Sequence, residues 1–123
     1  MNKICTSIEQ SKKLIELGID RKTSDLYYWC GEDLRIGGYK AQDEELDIPA
    51  WSLAALLNII PKHIGDSVFR MDMGETDINL WFDDLSSRTV DEVLPDITKE
   101  NFVDAAFEMV CWLLENGYIK KGE

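Results

Sequence analysis

FRMDMGETDINLWFDD, residues 69–84, is the stretch that decides the fold. Apolar residues occupy alternate positions on both sides of the Gly-Glu-Thr turn at 74–76: Phe69, Met71 and Met73 before it, Ile78, Leu80 and Phe82 after it. Alternation with a period of two is typical of strands that bury one face and expose the other. Two such runs around a short glycine-containing turn predict a β-hairpin.

The five carboxylates of this stretch also raise the alternative of a metal-binding loop. A calcium loop of the EF-hand type needs oxygen ligands at positions 1, 3 and 5 and a bidentate glutamate at position 12. Counted from Asp72, positions 3 and 5 are Gly74 and Thr76, and position 12 is Asp83. The pattern fails, so we expect a hairpin with a polar face and no metal site.

Three segments outside this hairpin predict helices. In 6–20, Thr6 or Ser7 can cap the first turn together with Glu9 or Gln10, and Gly18 supplies the stop. In 51–61, Ser52 is the expected N-cap and Pro61 ends the helix. In 97–119, Thr98 is the expected N-cap, Ile97 would pack on Phe102, and Gly117 ends the helix.

A second hairpin is predicted within 24–40. Leu26, Tyr28 and Cys30 would face one side, while Tyr27 and Trp29 would face the other. Residues 31–33 would turn the chain into a strand at 34–36 that Gly37-Gly38 ends. We expect 40–51 to be an acidic connection and 90–94 to be a strand or a loose turn.

These elements predict one α+β domain over residues 1–123. An antiparallel sheet of about four strands, formed by the two hairpins, would pack with three helices in the order α-ββ-α-ββ-α. At 123 residues the chain is long enough for a single hydrophobic core.

The net charge of the chain indicates which classes of partner it can bind. The net charge is −11, and residues 41–123 carry eighteen acidic against six basic side chains. Such a surface repels nucleic acid and anionic lipid, so we expect no direct binding of either. A basic protein partner would suit it, as would mimicry of a phosphate backbone.

Location and cofactors follow from what the sequence lacks. The first ten residues carry no apolar run of the signal-peptide kind, and the longest apolar run, residues 109–114, cannot span a bilayer. Three widely spaced cysteines indicate reduced thiols in a cytoplasm rather than a disulfide framework. No second histidine or Cys-x-x-Cys pair accompanies them, so we expect no metal and no other cofactor.

Three segments together carry a family resemblance: IEQSKKLIELGID (8–20), IPAWSLAALLNIIP (48–61) and AAFEMVCWLLENGYI (105–119). They resemble small uncharacterised proteins encoded by gut Bacteroides-type bacteria, their phages and integrated elements. The resemblance covers most of the chain, with the middle strands looser. It implies a bacterial or phage cytoplasmic origin, and it implies no activity, cofactor or site residue.

The last predicted helix carries the candidate partner-binding site. At 100° per residue, Asp104, Glu108 and Glu115 share one narrow polar stripe, and Trp112 projects onto the same stripe. A tryptophan between glutamates on the wet face is typical of a recognition site for a basic or amphipathic partner. Alternatively, Tyr118 onward or the segment 84–95 folds over Trp112. The aromatic strand residues Tyr27 and Trp29 are a further candidate surface, for a partner or for self-association.

The rival hypothesis is an enzyme or small-ligand binder with a pocket between sheet and helices. His63 with Asp66, Cys5 and the paired acids are its candidate active groups, and at least two of them would have to meet in one cleft. The sequence has no phosphate-binding glycine loop, nucleophile elbow or metal-ligating histidine pair. We therefore predict no catalytic residues and favour a small acidic interaction protein, which in a phage or mobile element could be an inhibitor or a mimic of DNA charge.

Overall fold

A computed structural model describes residues 3–29, 33–36, 47–84 and 94–119 of the chain. Within these ranges it contains three α-helices, seven β-strands and a 3₁₀ turn at Arg21–Thr23. The elements in chain order are α1 (Ile8–Glu16), β1 (Leu26–Trp29), β2 (Asp33–Ile36), β3 (Ile48–Ala50), α2 (Leu53–Ile59), β4 (His63–Ile64), β5 (Ser67–Met73), β6 (Ile78–Asp84), β7 (Asp96–Lys99) and α3 (Phe102–Glu115).

The strands form two antiparallel sheets, with the orders β2-β1-β3 and β4-β5-β6-β7. The predicted α+β class is confirmed, and so are the three helices and the two hairpins. The described strands nevertheless number seven rather than about four, and they divide between two sheets instead of one. The extra strands β3, β4 and β7 are short segments that add to the hairpin edges.

The start of the last helix was predicted wrongly. Thr98 does not cap α3, because it lies in β7 and pairs with Asn79 of β6, as Ile97 pairs with Leu80. The helix begins only after Asn101, whose side-chain oxygen accepts a hydrogen bond of 2.8 Å from the amide of Asp104. Residues 96–99 pair with the open edge of β6, although local capping preferences alone would place Thr98 at the start of the helix.

The connection predicted over 40–51 was also wrong in part. Its last residues, Ile48–Ala50, form β3 and pair with β1. Cys30, residues 31 and 32, Gly37-Gly38, residues 41–46 and the segment 85–93 lie outside the described residues.

The other predicted helix ends are confirmed. Ser7 and Gln10 form a capping box at the start of α1, and the hydroxyl of Ser52 accepts the amide of Ala55 at the start of α2. Gly18 and Gly117 adopt φ values of 93° and 78° after α1 and α3. This left-handed conformation is the one that glycine reaches without strain.

Helix α3 forms the centre of the core. It contacts α2, β6 and β7, and seven of its fourteen residues are buried. From β6 it covers Leu80 and Ile78, which are 0% and 7% exposed. Their partners across the hairpin, Met71 and Met73, are 47% and 68% exposed. The apolar hairpin face therefore exists as predicted, but only its β6 arm is fully covered.

A buried threonine joins the N-terminal segment to the rest of the fold. The amide of Thr6 donates to the carbonyl of Trp51 (2.9 Å), and its hydroxyl accepts from the Trp51 amide (3.1 Å) and bonds the hydroxyl of Ser11 (2.8 Å). Its carbonyl accepts from the phenol of Tyr28 at 2.8 Å. Thr6 thus ties α1, β1 and the start of α2 together while itself fully buried.

We predict that Thr6→Val lowers the free energy of unfolding by about 2 kcal/mol. Valine keeps the shape of threonine but leaves the buried amide of Trp51 and the hydroxyl of Ser11 without their partner. Urea unfolding followed by circular dichroism measures the change. Thr76→Val is the matched control, because Thr76 is exposed in the hairpin turn. Equal losses for the two variants would contradict the role of the Thr6 hydroxyl.

Candidate functional site

The predicted polar stripe of α3 faces α1 and the N-terminal segment. The carboxylate of Asp104 accepts from Lys3 Nζ at 2.7 Å, from Gln10 Nε2 at 2.9 Å and from Asn101 Nδ2 at 2.8 Å. Gln10 in turn accepts from Lys3 at 2.6 Å, so the capping residue of α1 also binds the lysine. Asp104 therefore anchors the N-terminal segment to α3.

The pKa of Asp104 reflects this network. Partial burial raises the pKa of its carboxyl, but the hydrogen bonds from Lys3, Gln10 and Asn101 and the charge of Lys3 outweigh that effect. The pKa of Asp104 consequently lies below its ordinary value. The ionised form is the one that the fold stabilises.

Glu108 is also paired. Its carboxylate lies 2.8 Å from Lys99 Nζ at the end of β7, and this hydrogen bond and charge raise the pKa of Lys99. Both groups are substantially exposed, so the pair contributes little to stability. The pair does neutralise Glu108, which is one of the two glutamates that flank Trp112 on the predicted stripe.

A groove of about 360 Å³ lies between these groups, lined by Lys3, Ser7, Glu9, Gln10, Lys99, Asp104, Phe107 and Glu108. Two lysines and three carboxylates line it, and two of the carboxylates are already paired with the lysines. The groove therefore offers little free charge to a partner. Its geometry is that of a contact that closes the N-terminal segment onto α3.

Trp112 does not stand free on the stripe. Its ring stacks on that of Tyr118, with centroids 5.6 Å apart and planes inclined by 10°, and it packs against the core. This matches the alternative in which residues from Tyr118 onward fold over it. Glu115 is exposed one turn away. The structure thus brings Asp104 and Glu108 together at the groove, while Trp112 and Glu115 lie further along the helix.

The aromatic candidates of β1 lie in the other sheet. Trp29 is 45% exposed, with the guanidinium of Arg35 lying 4.4 Å from its ring centroid, and Tyr27 is half-buried. The two residues share one face of the strand, as the alternation predicted. They belong to the sheet β2-β1-β3, whereas α3 packs against β6 and β7 of the other sheet.

Among the described residues, Cys5 does not cluster with His63 and Asp66. Of the paired acids, Asp91 and Glu92 lie outside the described residues. His63 and Asp66 are both exposed near β4, and no hydrogen bond or ion pair joins them. Cys5 is buried in the segment before α1, with its sulfur 3.7 Å from the phenol oxygen of Tyr28 of β1. Burial, the hydrogen bond to Cys5 and its charge raise the pKa of Tyr28 to about 12. Among the described residues, no cluster of three acidic, histidine or cysteine side chains could hold a metal ion.

The residues that sequence reasoning missed lie on strand edges. Met71 and Met73 on β5, and Leu34 and Ile36 on β2, are large apolar side chains left exposed. The alternating pattern assigns them to apolar faces, and this is the only signal for them in the sequence. Their exposure depends on which strands end each sheet, and strand order is not encoded in local periodicity.

The described helices are too short or too polar for any of them to cross a membrane. Comparison of the chain with models of known protein families, with curated proteins and with solved structures found no match.

We predict that Asp104→Asn lowers the free energy of unfolding by about 1 kcal/mol at pH 7, since it removes a charged acceptor of three hydrogen bonds on a partly exposed residue. The pKa of Asp104 is lower in the folded state, so its contribution is present above the ordinary value of about 3.9 and is lost as the pH falls below it. Urea unfolding at pH 7 and pH 3 should therefore show the two proteins converging in acid. Glu9→Gln, at an exposed carboxylate of the same groove, is the control and should have little effect at either pH. A difference at pH 3 as large as the one at pH 7 would contradict the account.

We also predict that Cys111 reacts slowly with iodoacetamide at pH 8. Burial, then the charge of Glu115, raises the pKa of its thiol to about 12, so almost no thiolate is present. Peptide mapping by mass spectrometry after timed labelling measures the rate at this residue, with the chain in guanidinium chloride as the reference. Labelling of folded Cys111 as fast as in the denatured chain would contradict the prediction.

Proposed function

We propose that this protein acts without catalysis, by binding an extended segment of a partner protein along the outer edge of β5. The observation that carries the proposal is the pair Met71 and Met73, exposed beside the buried residues Leu80 and Ile78 of the same sheet face. An exposed apolar patch of this kind, surrounded by charge, is typical of interaction surfaces.

The backbone of β5 supports strand addition. The amide of Phe69 points away from β6 and donates to the carbonyl of Lys62 at 2.9 Å. In an antiparallel ladder such groups alternate, so the backbone groups of Met71 and Met73 point outward as well. Strand β4 pairs only with Ser67 and Val68, and no other described strand pairs with this edge. A partner strand can bond there through its main chain.

The two methionine side chains on this edge can pack against apolar partner residues of different shapes. Methionine is unbranched and polarisable, so it adapts to partner surfaces of varied shape. Helix α3 lies over β6 and β7, which leaves the methionines as a ledge at the margin of the core. A partner side chain placed on this ledge would extend the apolar face of the hairpin.

The charge around the ledge favours a basic partner. Asp72, Glu75 and Asp77 are all exposed at this end of the hairpin, and the net charge of the chain is −11. Complementary potentials of this kind speed association and select against acidic partners. The same charge disfavours direct binding of nucleic acid.

The setting that we propose is the cytoplasm of a bacterium, with the gene carried by the bacterium, a phage or an integrated element. The resemblance of residues 8–20, 48–61 and 105–119 to small proteins of such genomes supports this origin. An acidic binder in that setting would act as an inhibitor of a basic protein or as a mimic of DNA charge.

The experiment is selection of ligands from a displayed library of random twelve-residue peptides, followed by NMR of the protein labelled at its methionine methyl groups. We expect selected peptides in which lysine or arginine alternates with apolar residues, and methyl shifts at Met71 and Met73. Met109 is fully buried in α3 and serves as an internal reference that should not move.

The matched variants are Met71→Lys/Met73→Lys and Ala54→Lys/Asn58→Lys. Both add two positive charges at exposed positions, but the second pair lies on α2. Loss of peptide binding at least tenfold greater in the first variant supports the β5 edge. Equal losses would assign the effect to net charge alone, and selected peptides that shift no resonance at Met71 or Met73 would overturn the site.

A further inference from the structure

Strand β2 is the outermost strand of the sheet β2-β1-β3, and all four of its residues are exposed. Ile36 is 90% exposed and Leu34 37%. The only pairing of β2 among the described residues is with β1. The strand therefore has one edge that is paired with β1 and one that pairs with no described strand, and it exposes two large apolar side chains.

The hydrogen-bonding direction of β2 follows from a proline. Pro49 of β3 lies opposite Tyr27 of β1 and has no amide proton, so Tyr27 does not exchange a pair of hydrogen bonds with it. Because the bonded sides alternate along an antiparallel strand, Tyr27 directs its backbone groups to Arg35 of β2. The backbone groups of Leu34 then point away from β1, toward the edge that pairs with no other described strand.

The charges of β2 complement those of a second copy of the same strand. We propose that two copies of this protein pair through β2, antiparallel about a two-fold axis, with Leu34 opposite Leu34 of the second copy. This register places Asp33 opposite Arg35 of the second copy, and Arg35 opposite its Asp33. Two ion pairs and two hydrogen bonds between the leucines then form at one seam.

The side chains on both faces fit this register. Residues directly opposite in an antiparallel ladder share a face, so Leu34 and Ile36 of the two copies form one apolar strip. On the other face, the guanidinium of Arg35 is already held 4.4 Å from the ring centroid of Trp29. The neighbouring register with Arg35 opposite its own copy brings like charges together and is disfavoured.

The assembly joins the sheet β2-β1-β3 of one copy to the same sheet of the second copy, which gives a continuous sheet of six strands. It uses the edge of β2 and leaves the edge of β5 in the other sheet free, so it is independent of the proposed partner binding. The seam is short, and interfaces below about 1,200 Å² are typically weak. We therefore expect a reversible dimer with a Kd of about 10–100 µM.

The test is sedimentation equilibrium on the wild-type chain and on Arg35→Asp, Asp33→Arg and the double exchange Asp33→Arg/Arg35→Asp. Each single variant places like charges opposite each other and should weaken the dimer at least tenfold. The double exchange restores both ion pairs in the same register and should recover wild-type affinity. An equimolar mixture of the two single variants should form a heterodimer, because every facing pair is then of opposite sign.

The outcomes decide the proposal. A wild-type chain that stays monomeric up to about 1 mM overturns it, as do single variants that dimerise like the wild type. A double exchange that stays monomeric, or an Arg35→Asp chain that pairs no better with the Asp33→Arg chain than with the wild type, overturns the register. All substitutions are at exposed positions, and circular dichroism verifies the fold of each variant.

Discussion

The fold depends on a cluster of buried hydrogen bonds around Thr6. A fully buried polar residue must find partners for every group it carries, and Thr6 finds them on Trp51, Ser11 and Tyr28. These bonds tolerate no sliding of the N-terminal segment, because a shift by one residue would leave several polar groups buried without partners. The apolar contacts of Trp51 and Leu14 supply the driving force, and the threonine sets the alignment in which they meet.

The local sequence predicts most helix ends and both hairpins of this fold, but it does not predict how the strands divide between two sheets. Helix ends were predictable because caps are local: Ser7 with Gln10, Ser52, Gly18 and Gly117 act within one turn of their own helices. Thr98 was placed wrongly because a neighbouring strand captured it, and β3 was missed because three residues carry too little periodicity. For the candidate site, the helical projection correctly put Asp104 and Glu108 on one stripe. It could not find Lys3, which lies 101 positions before Asp104, or Lys99, which pairs with Glu108 because residues 96–99 form β7 instead of the first turn of the helix.

The two sheets share one structural theme, which is an apolar face that continues past its cover. In the four-stranded sheet the apolar face is buried on β6 and exposed at Met71 and Met73 of β5. In the three-stranded sheet it is half-buried at Leu26 and Tyr28 of β1 and exposed on β2. The exposed side chains are methionines on β5 and aliphatic residues on β2. The surrounding charge differs too: carboxylates dominate at the β5 hairpin, whereas β2 carries one acid and one base. The two edges are therefore suited to different partners, one foreign and basic, one identical.

The anchoring of Lys3 on Asp104 joins residues 101 positions apart, and this separation bears on how the chain is made. A ribosome adding about 5–20 residues per second needs roughly 5–20 s to pass from the first of these residues to the second. During that interval α1 can form its capping box, but the side chain of Leu14 has no α3 to pack against. The contact between Lys3 and Asp104 can therefore form only seconds after α1 has been synthesised, once α3 has followed it.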